Sequence, residues 1–119
     1  MELFLGETKE LLYQACLDRK GKLLARYLLA EGGVDRVNLN MRTIAENALR
    51  VNASSVILAH NHPSGVALPS EEDKLTTLEI WRVLGSIGVE LLDHIIVADN
   101  DYVSLRDNGL FEMEADHGI

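Results

Sequence analysis

Apolar positions along this 119-residue chain fall into blocks of different spacing. "ELLYQACLD" (Glu10 to Asp18) and "KLLARYLLAE" (Lys22 to Glu31) are apolar-rich runs joined by the turn-prone "RKG" around Gly21. They predict a β-hairpin, with their Leu and Ala content leaving a helix open for either run. Beyond an "EGGVD" loop, Met41, Ile44, Ala45, Ala48 and Leu49 recur at helical spacing, behind Asn38 or Asn40 as N-cap. "SSVILAH" is a β-rich run without polar alternation, the pattern of a central strand buried on both faces. Leu75, Leu78, Ile80, Trp81, Leu84 and Ile87 then trace a helical stripe between Ser70 and Ile87, closed by Gly85 and Gly88. "VELLDHIIVAD" and "YVSLRD" predict two final strands across a turn near Asp99–Asp101, with loose termini over 1–8 and 108–119. The order β-β-α-β-α-β-β implies an α/β (α+β) fold, a mixed sheet flanked by helices. A chain of this length is expected to form a single domain over 1–119.

Composition narrows the function classes. Apolar residues make up 47% and charged residues 25%, ordinary globular values that argue against disorder. The net charge of -8 disfavours nonspecific nucleic-acid binding, which draws its affinity from Lys and Arg displacing counterions. Arg19, Lys20 and Lys22 cluster at the expected hairpin tip, where a solvated turn accounts for them. The one cysteine, Cys16, excludes an internal disulfide and sits in an apolar run, as a buried thiol would. No basic leader followed by an apolar stretch opens the chain, and no apolar run approaches the ~20 residues that cross a bilayer. A soluble, cytoplasmic protein without a membrane partner is the expectation.

The chemistry concentrates in "LAHNHPSGVALPSEEDKL", residues 58–75. If residues 55–60 form a strand running into His62, period-two alternation turns His60 and His62 to one face. Two imidazoles suit zinc, which needs a third protein ligand and an open water position for hydrolysis. Asp73 is the best third ligand, because Pro63, Gly65 and Pro69 can fold the loop back and set the next helix beside the strand end. Such a site can bring its water toward a pKa of ~7. Ser70-x-x-Asp73 also reads as a capping box, a commoner feature than a zinc site, yet a cap leaves the two histidines without a reason. Ser70 can do both, capping the helix while its hydroxyl faces the open position. Asp93 and His94 alternate faces inside an apolar strand, so His94 is expected to bond backbone and Asp93 to stand behind the site. His117, in the tail, has no assigned role.

His60-Asn61-His62-Pro63 followed by Ser70 and Asp73 resembles the JAMM (MPN+) motif of zinc metallopeptidases. "VILAHNHPSG" and "GVELLDHIIVAD" resemble its bacterial RadC-type branch, and the similarity runs from about Glu10 to Arg106. The resemblance implies a JAB/MPN domain of cytidine-deaminase-like architecture. It implies one Zn²⁺ on His60, His62 and Asp73, with Ser70 supporting the oxyanion as a catalytic residue and a glutamate as general base. Glu10 stands where RadC-like sequences carry that base, ahead of Glu7, Glu31 and Glu46. A peptide or isopeptide substrate follows. Two features depart from the pattern: Val66-Ala67-Leu68 is more apolar than the usual loop, and the sequence opens at the metal domain where many RadC-like proteins carry a helical region first, so a stand-alone form and one part of a longer protein are both open.

An alternative from another class is a non-catalytic MPN-type interaction module associated with DNA repair, for which the family link, and not the charge, leaves nucleic acid open. A homo-oligomer is also open. A nucleoside deaminase is set aside, since it needs H-x-E followed by P-C-x-x-C and Cys16 lies upstream of the histidines.

Overall fold

The computed structural model of the protein describes residues 9–32 and 39–112. Glu7, Asn38, His117 and most of the expected loose termini lie outside them.

The two Leu-rich runs are strands. β1 (Leu11–Leu17) and β2 (Leu23–Glu31) form the antiparallel hairpin, and the Asp18 carboxylate accepts the N–H groups of Lys20 and Lys22 at its tip. Extended structure wins over helix here because β1 is paired along both of its edges. α1 (Met41–Arg50) is capped by Asn40, whose side chain accepts the Thr43 N–H. β3 (Ser55–Asn61), α2 (Glu71–Ser86), β4 (Glu90–Ala98) and β5 (Asp101–Ser104) complete the order. The sheet runs β2-β1-β3-β4-β5. β3 and β4 are parallel, so their connection must cross over, and α2 is that crossover; the other neighbours are antiparallel.

α1 and α2 pack on each other and on the sheet. Leu12, Cys16, Val56, Leu58, Leu91 and Ile96 meet Ile44, Ala48, Ile80 and Leu84 in the main core. Each such Leu or Ile contributes ~1.5–3 kcal/mol by leaving water. Cys16 is buried as anticipated, and burial pushes its thiol pKa up. A smaller cluster of Leu11, Ala59 and Val97 joins Tyr13 and Ile95. Among the described residues no helix is long and apolar enough to cross a membrane.

The structure corrects three expectations. Leu49 and Leu75, assigned to the inward stripes, are 57% and 49% exposed. α1 buries Asn47 instead, because the buried Gln14 amide donates to the Ile44 carbonyl and accepts from Asn47 Nδ2, so a polar side chain is satisfied inside. α2 buries Asp73, Thr76, Thr77, Ile80 and Leu84, a stripe more polar than apolar by residue type. The chain from 108 to 112 is also not loose: Leu110 and Phe111 join the core, and the Phe111 ring lies 5.6 Å from that of Trp81.

Candidate metal centre

The central strand and the helix after it deliver the site. His60, fully buried, is the penultimate residue of β3, and His62 follows one residue past its end. The His62 N–H donates to the Val97 carbonyl, which holds the chain on the β4 edge after β3 stops and leaves the two imidazoles with centroids 4.6 Å apart. The chain then turns, with the Gly65 N–H on the His62 carbonyl. Gly65 has φ +88°, a left-handed conformation that favours glycine. At the far end Ser70 caps α2. Its Oγ accepts the Asp73 N–H at 2.9 Å, and Asp73 Oδ2 accepts the Ser70 N–H at 2.8 Å. This box fixes the Asp73 carboxylate over the strand end, with Oδ1 3.8 Å from His60 Nε2 and Oδ2 3.4 Å from His62 Nε2.

Glu10 enters from the start of β1. Its Oε1 lies 3.0 Å from His60 Nε2 and 4.0 Å from His62 Nε2. One donor atom each from Glu10, His60 and His62 falls within 4.8 Å of the others, close enough for one ion to touch all three. Asp73 faces both rings from the other side. Of the rival glutamates, Glu46 pairs with Arg42 at 3.4 Å, and Glu31 is exposed at the end of β2.

The direction of every proton around the rings follows from two backbone carbonyls, which can only accept. Thr77 Oγ1 donates to the Asp73 carbonyl at 2.6 Å and therefore accepts from His94 Nδ1 at 2.6 Å. Neutral His94 then presents Nε2 as acceptor to His60 Nδ1 at 2.8 Å, which leaves the lone pair of a neutral His60 on Nε2. His62 reaches the same tautomer by a shorter route, donating Nδ1–H to the Val66 carbonyl at 3.0 Å. Two Nε2 lone pairs thus face two carboxylates. Burial, only partly countered by Asp73, lowers the His60 pKa to about 4, and burial together with the neighbouring His60 and His62 rings holds His94 well below the ordinary imidazole range. Burial raises the Glu10 pKa, with His62 opposing it.

With both rings neutral and both carboxylates ionised, four acceptors converge without a donor among them, an arrangement that suits a cation. A tetrahedral ion with bonds of ~2.0–2.1 Å needs donor atoms ~3.3 Å apart, and the contacts of 3.0, 3.4, 3.8 and 4.0 Å bracket that spacing. The residues present therefore fit a metal. A cavity of about 460 Å³ is lined by Ile95, Val97 and Tyr102 along β4 and β5, and none of these side chains is a donor of the centre.

The expected site residues meet here, with Glu10 and Asp73 both facing His60 and His62 and with Ser70 at the exposed rim. The Asp93 and His94 assignments reverse. His94 stands behind His60, whereas Asp93 accepts from the Ser104 hydroxyl and the Arg106 N–H and ties the chain beyond β5 to β4. Thr77 was missed, although its i+4 spacing from Asp73 is a readable signal.

The fold and this donor set define a JAB-type α+β domain with a candidate metal site. The chain matches the RadC-like JAB domain family over residues 1–110, and it belongs to that family. The UPF0758 protein VV0285 of Vibrio vulnificus (strain YJ016) is 37% identical over 101 residues, which cover 85% of this chain and 45% of that relative. The chain thus spans less than half the length of this curated relative.

Proposed function

We propose that the chain is a zinc-dependent metallopeptidase or isopeptidase-type hydrolase, with His60, His62 and Asp73 holding the ion, Glu10 moving the proton and Ser70 steadying the oxyanion. The meeting of two Nε2 lone pairs with two carboxylates carries this reading. Zinc suits a mixed nitrogen and carboxylate set and, when bound, supplies Lewis acidity to the scissile carbonyl and to the attacking water.

The two carboxylates divide by environment. Asp73 is 3% exposed and locked by the capping box, as a ligand should be. The Glu10 side chain is 28% exposed, and burial makes it a stronger base than a free glutamate. It takes a proton from the attacking water as oxygen adds to the carbonyl carbon. It then delivers that proton to the amine nitrogen as the C–N bond breaks, so no charge is stranded on the leaving group. Ser70 Oγ accepts the Asp73 N–H, and its own proton can be donated to the carbonyl oxygen as negative charge builds there.

An amide library containing peptide and isopeptide bonds tests this. The zinc-loaded protein is expected to cleave a member of it, and Glu10→Gln to keep its zinc while losing ~10²–10⁴-fold in rate. Cleavage undiminished in Glu10→Gln would remove Glu10 from the mechanism.

A further inference from the structure

The residue between the two histidines has no part in the chemistry above, yet it is 95% buried with both its amide oxygen and its amide nitrogen hydrogen-bonded to backbone. The β1–β3 ladder pairs Leu17 with Ser55 at one end and Leu12 with His60 at the other. Beyond that pair the β3 backbone turns to β4 through the His62 N–H and Val97 carbonyl. The Asn61 side chain continues the pairing. Its Oδ1 accepts the Leu11 N–H at 2.6 Å, and its Nδ2 donates to the Lys9 carbonyl at 2.8 Å. Because one partner is an N–H and the other a carbonyl, the amide can sit in one orientation only.

Those two backbone groups flank Glu10. The Glu10 carbonyl is itself held from the opposite side, by the Gly32 N–H at 2.7 Å. The peptide planes before and after Glu10 are therefore fixed from β3 and from the end of β2, and only the Glu10 side-chain torsions remain free. We infer that Asn61 is a positioning residue for Glu10, clamping the backbone on both sides of it so that the carboxylate arrives at His60 and His62. The H-N-H triplet then has a division of labour: the outer residues face the metal site, and the middle one places the base. Misplacement of a reacting group by ~1 Å can cost on the order of 10²-fold in rate, so the clamp has a catalytic consequence without touching substrate.

This inference rests on the hydrolase reading, and one NMR experiment separates the two. Protein carrying ¹³C at glutamate carboxyls and ¹⁵N in imidazoles is titrated with zinc. In the unsubstituted chain the Glu10 Cδ and the His60 and His62 ring resonances are expected to move together. In Asn61→Ala, which removes both clamping bonds, the ring resonances should still move and the Glu10 Cδ response should be lost. Asn61→Asp keeps the acceptor for Leu11 but sets an oxygen against the Lys9 carbonyl, so it should give the same loss; its preserved shape guards against a variant that does not fold. A full Glu10 response in either folded variant overturns the clamp. So does a Glu10 resonance that ignores zinc in the unsubstituted chain while the rings respond. Rings that ignore zinc sink the hydrolase reading, and the clamp with it.

Discussion

His60 can present a lone pair at Nε2 because of what stands behind it. The chain from the Asp73 carbonyl through Thr77 and His94 runs one way, and it converts a backbone acceptor 13 residues along into a fixed tautomer at the site. It also ties the end of β3 to the start of α2, since Asp73 turns its carboxylate to the rings and its carbonyl to the relay. His94→Ala removes the acceptor for His60 Nδ1–H and frees the ring to turn. Loss of such a partner typically weakens a metal site ~10–100-fold. Competition with a chromophoric chelator would read this as a fall in zinc affinity of that order. Unchanged affinity would mean that packing, and not the relay, orients His60.

At the scale of elements, the hairpin, both helices and the three later strands were legible because each carries its own period and its own stops. The faces of the helices were less so. Leu49 and Leu75 fit an inward stripe by spacing, but Gln14 and His94 offer hydrogen bonds that let Asn47 and Thr77 go inside, and a pattern of apolar letters does not register such partners. The tail misled for a related reason: the letters around Leu110 and Phe111 are acidic, while those two side chains close the core beside Trp81. In the site, His60, His62, Ser70 and Asp73 were legible because they lie within one strand, turn and helix start. Glu10 lies 50 positions from His60 and came from resemblance. His94 was misread because strand alternation shows that Asp93 and His94 diverge, but not which of them faces the histidines. The parallel register of β3 with β4, which sets Leu58 opposite His94, decides that.

The whole molecule feels the site through protons. His60 is held to about 4 against an ordinary 6.5, and burial lowers His94 as well. An unfolded chain takes up those protons near 6.5 and the fold refuses them until much lower pH, so stability present above 6.5 is lost as pH falls toward about 4. Glu10, raised by burial, works the other way and offsets part of this. The metal-free protein is therefore expected to melt several degrees lower at about pH 5 than at about pH 7; a flat profile would show that the two imidazoles are not held neutral. A net charge of -8 attracts cations weakly everywhere, so metal binding at this centre must be told apart from that background by stoichiometry and by variants. Calorimetric titration of metal-stripped protein with zinc does so most directly. One tight ion per chain, lost in His60→Ala and in Asp73→Ala, is the expected result; no tight binding, or binding that survives both substitutions, would contradict a metal centre at the end of β3.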